Sequence, residues 1–498
     1  MKESYDDIID IRRRIFKEVA RSAYEDLDVS DFEDAAYRLV PGEVPKYRDD
    51  IFRARAVTEE RLRLALGMDV RKISEFKKIT DGFEEIDFDH NVYTQPLINI
   101  IKFACEACPT KRFYVTDNCR KCMAKPCKNV CPVGAVTIGK NRAVIDHDKC
   151  IKCGRCEKTC PFNAIIQFDR PCASICGVDA IGSDKYGRAE IDQDKCVQCG
   201  RCVTQCPFGA IADKTQIYQL IKAIKDPKKD IYAIVAPSFV GQFGANASPE
   251  QIFEAIRKLG FKDVIEVGLG ADLTTLHEAQ EYLERVPGEI PFMATSCCYS
   301  WSLLVKKQFP DIYEYISESS SPMIYTAQHI HNIDKDAIVC FIGPCTSKKS
   351  EAIDTKVKDF VEFVITFEEL MGMFEAKNID PAHMIIDKKI EDSSRLGRGY
   401  AIAGGVAEAV KEIAKELSPD RDIKIERADT LTECSKLMKL AKAGKYNGYL
   451  LEGMACPGGC IAGMGTINST TKVKKLINKF KSESEFDTPL DNNLIENE

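Results

Sequence analysis

The chain has 498 residues, 44% apolar and 30% charged, with a formal charge of −7, which suits a globular protein of three or four domains and excludes a disordered one. No apolar run of about 18 residues occurs, and the N-terminal stretch MKESYDDIIDIRRRIFKEVA has no apolar h-region, so neither a membrane span nor a secretory signal is supported and residence in the cytoplasm is expected. The acidic balance argues against nucleic acid as a partner.

In chain order, residues 1–95 contain no cysteine and read as an N-terminal helical region, with Ile8, Ile11, Ile15 and Val19 at helical spacing. Ser30 and Glu33 predict a capping box ahead of Ala35 to Val40, and Pro41 and Pro45 then break the chain. The region reads as a docking or packing module, and Arg12-Arg13-Arg14 as a solvated helix face. Residues 96–215 change character, with short β-type segments such as Ala143-Val144-Ile145 between cysteines. Residues 225–475 alternate as an α/β protein. Strands are predicted at Ile231–Ala236, Val264–Val267 and Ala337–Ile342, and a helix opened by Ser248-Pro249-Glu250 and closed by Gly260. Residues 476–498 read as a polar, loosely attached tail.

Sixteen of the 23 cysteines lie between Cys105 and Cys206. A disulfide framework belongs to small secreted domains, so metal thiolates are the better reading. Two segments carry the bacterial ferredoxin spacing, Cys150-x2-Cys153-x2-Cys156-x3-Cys160-Pro161 and Cys196-x2-Cys199-x2-Cys202-x3-Cys206-Pro207. In such runs three thiolates hold one 4Fe-4S cube and the fourth holds another, so each run needs a partner run. A looser run, Cys119-x2-Cys122-x4-Cys127-x3-Cys131-Pro132, supplies one. The pairing gives a cluster on Cys119, Cys122, Cys127 and Cys160, and a second on Cys150, Cys153, Cys156 and Cys131. The other partner is split: Pro171-Cys172-x3-Cys176 echoes Pro126-Cys127-x3-Cys131, and Cys105-x2-Cys108 echoes Cys119-x2-Cys122. One ferredoxin unit is therefore read as inserted into another. A third cluster falls to Cys196, Cys199, Cys202 and Cys176, and a fourth to Cys105, Cys108, Cys172 and Cys206, with zinc or an empty pair as the alternative for the split set. Residues 96–215 hold 19 lysines and arginines against 12 acidic residues. That excess either offsets the anionic clusters or forms a docking face for an acidic electron carrier.

Downstream stand Thr295-Ser296-Cys297-Cys298-Tyr299-Ser300-Trp301, Gly343-Pro344-Cys345-Thr346-Ser347-Lys348-Lys349-Ser350-Glu351 and Glu452-Gly453-Met454-Ala455-Cys456-Pro457-Gly458-Gly459-Cys460. Cysteines on separate Gly- and Pro-bordered segments suggest one metal centre assembled between lobes. These segments resemble the three signature motifs of the FeFe (di-iron) hydrogenases, over about residues 96–470, in a divergent form. The resemblance implies an α/β, two-lobed H-cluster domain behind a tandem, inserted ferredoxin-like α+β domain and the helical region.

It further implies an H-cluster, a 4Fe-4S cube joined to a two-iron azadithiolate unit with CO and CN ligands. Carried over, Cys298, Cys345, Cys456 and Cys460 hold the cube, Cys460 also bridging to the two irons, and Cys297 is a free thiol that relays protons. Glu278, Glu281 and Ser317 match the family's proton path, Lys348 a donor to a cyanide, Ala236, Pro237 and Ser238 the wall by the other cyanide, and Met454 a residue packed on the cluster. Cys340 and Cys434 are left as buried or free thiols. Many members have proline where this chain has Tyr299 and methionine where it has Gly343. Loss of that methionine is expected to open space beside the two irons or change its polarity.

The implied activity is reversible reduction of protons to dihydrogen by an anaerobic oxidoreductase. Electrons would pass to or from ferredoxin or a similar small carrier, and maturation proteins would build the cofactor. A hydrogen sensor using the same cofactor is the alternative. An assembly factor with a cube alone is disfavoured by Cys460. Gly268-x-Gly270 lacks the rest of a dinucleotide fingerprint, so nicotinamide is not expected.

Overall fold

A computed structural model describes residues 7–86, 93–244 and 246–495. The alternation after residue 225 builds two parallel sheets. Ile231–Val235 is buried at every position, as a strand covered on both faces must be. It lies inside a four-stranded sheet ordered Asp263–Glu266, Ile231–Val235, Ile338–Gly343, Phe363–Thr366. The second sheet is ordered Met293–Ala294, Tyr449–Met454, Lys424–Asp429, again with parallel pairs. The helix Pro249–Lys258 opens as its sequence predicts: Ser248 Oγ accepts from the Gln251 N–H at 3.2 Å, and Gln251 Oε1 accepts from the Ser248 N–H at 3.0 Å. Among the described residues no helix is long and apolar enough to cross a membrane.

Strand pairing makes the nesting of the cysteine-rich part visible. Ile98–Ile100 pairs antiparallel with Ile211–Asp213, and Ile181–Ser183 with Ala189–Ile191. Between the first of these strands and the rest lies a second set, Arg112–Val115 with Ile165–Phe168 and Val136–Ile138 with Ala143–Ile145.

The N-terminal helix Asp7–Tyr24 buries Ile11, Ile15 and Val19 against the helices Phe367–Ala376 and Ile217–Lys225, in one core with the four-stranded sheet. Three expectations are corrected here. Arg12-Arg13-Arg14 is not a solvated face: Arg12 is buried and ion-paired with Glu368, Arg13 reaches the same carboxylate at 3.4 Å, and Arg14 donates to the Tyr47 hydroxyl at 2.7 Å. A helix wedged between two others has little free face. Ser30 and Glu33 form no capping box; Asp28 accepts from the Ser30 N–H at 2.9 Å and caps a short 3-10 turn, while Glu33 Oε1 accepts from Thr80 Oγ1 at 2.5 Å. Residues 476–498 are not loose as far as they are described. The helix Thr470–Ser482 buries Val473, Ile477 and Phe480, Asn492 donates to Asp272 at 3.0 Å, and Ile495 packs with Leu269 and Leu273.

Candidate metal centre

The three cysteine segments all leave the carboxyl ends of parallel strands. Cys297 and Cys298 follow Met293–Ala294, Cys345 follows Ile338–Gly343, Cys456 follows Tyr449–Met454, and Ala236-Pro237-Ser238 follows Ile231–Val235. Open parallel sheets build their ligand sites at these ends, because there the chain turns from strand to helix. The ends face a cavity of ≈ 90 Å³, lined by Ala236, Pro237, Ser238, Cys297, Cys298, Cys345, Lys348, Met454 and Cys460 among others. Cys456 is buried behind it, near enough to Cys345, Cys298 and Cys460 for their charges to raise its pKa further beyond the effect of burial.

Electrostatics gives this cluster its chemistry. Burial pushes the thiols of Cys298, Cys345, Cys456 and Cys460 upward, so ionised thiolates here call for iron or another cation beside them. Lys348 Nζ donates to Glu351 at 2.6 Å and to the Cys297 carbonyl at 3.3 Å. Burial opposes its charge, but Glu351 and the neighbouring thiolates hold its pKa above the ordinary lysine value. Ser238 Oγ is buried with no hydrogen-bond partner. A cluster-sized cavity with convergent thiols, a held cation and an orphan hydroxyl fits an anionic metal group.

Glu278 is fully buried on the helix Val267–Arg285; its Oε1 accepts from the Ser296 N–H at 2.8 Å and Ser296 Oγ at 3.0 Å, and its Oε2 has no partner. Burial pushes its pKa up to about 8, against the lowering effect of Ser296. Cys297 is raised by burial and then by Glu278, which places the two side by side. One turn on, Glu281 accepts from Ser317 Oγ at 2.6 Å and pairs with Arg285. The structure thus joins Cys297 to Glu278, and Ser317 to Glu281; among the described residues no hydrogen bond links the two pairs.

Gly343 does not open the expected space. A Cβ there would lie 2.2 Å from Phe341 Cε1, so the Phe341 ring, which lines the cavity, fills that volume. Tyr299 also lines it and donates to Asp354 at 2.7 Å. Sequence reasoning missed Phe341 and Tyr400, whose hydroxyl meets Thr275 Oγ1 at 2.8 Å, because neither stands in a cysteine motif. Gly268 and Gly270 sit inside a helix, where a Cβ on Gly270 would meet the Pro322 carbonyl at 2.1 Å, so they serve close helix packing. Cys340 and Cys434 are fully buried.

The remaining thiols gather upstream. Cys105, Cys108, Cys172 and Cys206 line one small cavity, and burial and mutual charge push Cys172 up to about 12. Cys127 is raised by burial and by Cys119, Cys122 and Cys160. Cys156 is raised by burial and by Cys150 and Cys131, and Cys199, up to about 12, by burial, Cys196 and Cys176. Cys202 feels Cys199, Cys196, Cys176 and Cys172, and Cys153 is exposed. Backbone N–H groups four residues on bond to Cys131, Cys160, Cys176 and Cys206 at 3.2 to 3.4 Å, one turn repeated four times. Cys199 also acts on Cys456, so this group adjoins the centre. Ser300 Oγ and Thr346 Oγ1 donate to the carbonyls of Val197 and Gln198 at 2.8 and 2.7 Å and clamp that junction.

Nested ferredoxin-like units leading to a thiol-lined cavity between two parallel sheets define an iron–sulfur oxidoreductase. Residues 229–464 match the family model of the iron only hydrogenase large subunit, C-terminal domain, and residues 143–166 and 188–211 match models of 4Fe-4S binding domains. Iron hydrogenase 1 of Clostridium pasteurianum is 29% identical over 428 residues, 74% of this chain and 73% of that protein. The periplasmic Fe hydrogenase large subunit of Nitratidesulfovibrio vulgaris is 26% identical over 372 residues, 64% of this chain and 85% of that protein. A solved variant of the FeFe hydrogenase HydA1 from Chlamydomonas reinhardtii is 24% identical, with a TM-score of 0.48 over 56% of this chain and 93% of that one. The chain belongs to the FeFe hydrogenase family of iron–sulfur enzymes.

Proposed function

We propose that the chain catalyses reversible reduction of protons to dihydrogen at an H-cluster held by Cys298, Cys345, Cys456 and Cys460. Electrons pass through four 4Fe-4S clusters to or from ferredoxin or a similar small carrier. When bound, the two-iron unit supplies the open metal position at which protons and electrons combine. Everything else falls to the side chains. Lys348 and Ser238 offer donors to anionic ligands on the cavity wall. Phe341, Met454 and Ala236 keep the cavity apolar and exclude water. Cys297 takes or gives a proton at Sγ, Glu278 exchanges it at the carboxylate, and Ser317 and Glu281 carry it toward the surface. A carboxyl held at about 8 transfers in both directions near neutral pH.

The observation that carries this reading is the contact between Cys297 in the cavity wall and buried Glu278 behind it. Cys297→Ser and Glu278→Gln, matured like the parent, are expected to keep the carbonyl and cyanide infrared bands and lose hydrogen evolution by ~100-fold or more. Parent-level turnover in both variants would remove the proton path. Bands without turnover in the parent would turn the reading toward hydrogen sensing.

A further inference from the structure

The two nested ferredoxin-like units hold eight cluster cysteines each but differ in charge. Residues 112–168, the inserted unit, carry eleven lysines and arginines against four acidic residues. The outer unit, 96–111 with 169–215, carries eight of each. A surplus that merely offset cluster charge would follow the thiolates and be shared equally. Instead all seven excess charges sit on the inserted unit, in a chain whose total is −7.

All eleven basic residues of the inserted unit are exposed. Arg142 and Lys149 are tied to Asp117 and Asp146 at 3.0 and 3.5 Å. Among them stand exposed apolar side chains in the turns that wrap the cysteines: Met123, 95% exposed, between Cys122 and Cys127, and Ile151, 60% exposed, between Cys150 and Cys153. Apolar contacts within a charged rim are the anatomy of a transient protein interface, and the excess of one sign steers a partner of the other.

We propose that the inserted unit is the docking surface for a small acidic one-electron carrier protein, which meets Met123 and Ile151 among the lysines. The proposal rests on the reading of this chain as an enzyme wired by 4Fe-4S clusters. In the transfer one electron leaves the carrier and one cluster is reduced, with no bond made and no proton moved.

The test uses the full chain with its 4Fe-4S clusters but without the two-iron unit, mixed with photoreduced acidic ferredoxin while cluster absorbance is followed. Lys125→Glu with Lys152→Glu is expected to slow reduction ~10-fold at low salt, while Lys185→Glu with Lys195→Glu on the outer unit stays within about twofold. A small zwitterionic viologen should reduce all three proteins alike. In the first variant, oxidation of the reduced clusters by a cationic cytochrome should become faster than in the parent, a gain that damaged clusters cannot produce. Equal effects of the two double variants, or no gain with the cationic carrier, overturn the proposal. So does a parent dimer that the first variant dissociates, since the occupant is then a second copy. Hydrogen evolution is not read, so a matured protein that fails to turn over sinks the hydrogenase reading and leaves this result intact.

Discussion

At the scale of single residues, Gly343 and Phe341 form one unit of shape. The Phe341 ring occupies the place of any side chain on residue 343, 2.2 Å from where its Cβ would be. Gly343→Ala is therefore expected to destabilise the fold by ~1–3 kcal/mol through overpacking. In a Phe341→Ala background the same change should cost far less, and the cycle reads the coupling directly. Additive losses in thermal unfolding would mean that the ring moves aside freely. Here the sequence misleads: a missing methionine reads as space, but the filling residue sits two positions upstream, and its direction follows from strand geometry rather than from any motif. Cysteine positions are the opposite case, since thiol spacing is itself a constraint on metal geometry.

At the scale of elements, the strand Ile211–Asp213 of the outer ferredoxin-like unit is bolted to the hydrogenase lobes by Lys349. Its ammonium, fully buried, donates to Asp213 at 2.9 Å, to the Lys214 carbonyl at 2.8 Å and to Glu369 at 2.5 Å. Removing one partner of such a set strands the others without solvent, so Lys349→Met is expected to cost ~3–5 kcal/mol. Hydrogen exchange at residues 211–213 and 366–369 should rise together; unchanged protection at both would show the bolt to be dispensable. The elements themselves were largely readable, since Ile231–Val235 is an uninterrupted apolar run and Ser248 announces a helix start. What was not readable is partnership. Ile98–Ile100 finds its mate more than a hundred residues away, and Asn492 finds Asp272 across the fold. A polar C-terminal stretch looks loose until such non-local partners exist.

At the scale of the whole molecule, several carboxyls are ionised against burial. Burial pushes Asp272 up to about 6 in spite of Ser394 and Asn492, and Glu278 up to about 8 in spite of Ser296. Glu266 moves the same way, partly offset by Arg398. Each holds a proton in the folded state that the unfolded chain, with carboxyl pKa values near ~4, has already lost. Their stabilising share is full below that value and disappears as pH rises through the folded values. The thermal midpoint, followed without oxygen, is expected to fall between pH 5.5 and pH 8.5; a rising midpoint would place these groups in charged, solvated surroundings.

The nesting of one ferredoxin-like unit in another has a consequence for how such a chain can be remodelled. Because Arg112 lies directly opposite Phe168 in an antiparallel pair, the inserted unit begins and ends at one spot, like a pendant on a single clasp. The outer unit keeps all eight of its own cysteines on either side of that clasp. The two polypeptide crossings can therefore be joined by a short turn, or reattached to a different pendant, without shifting a cysteine of the shorter conduit that remains. Lengthening the wire by insertion, rather than by addition at an end, leaves its contact with the catalytic lobes untouched.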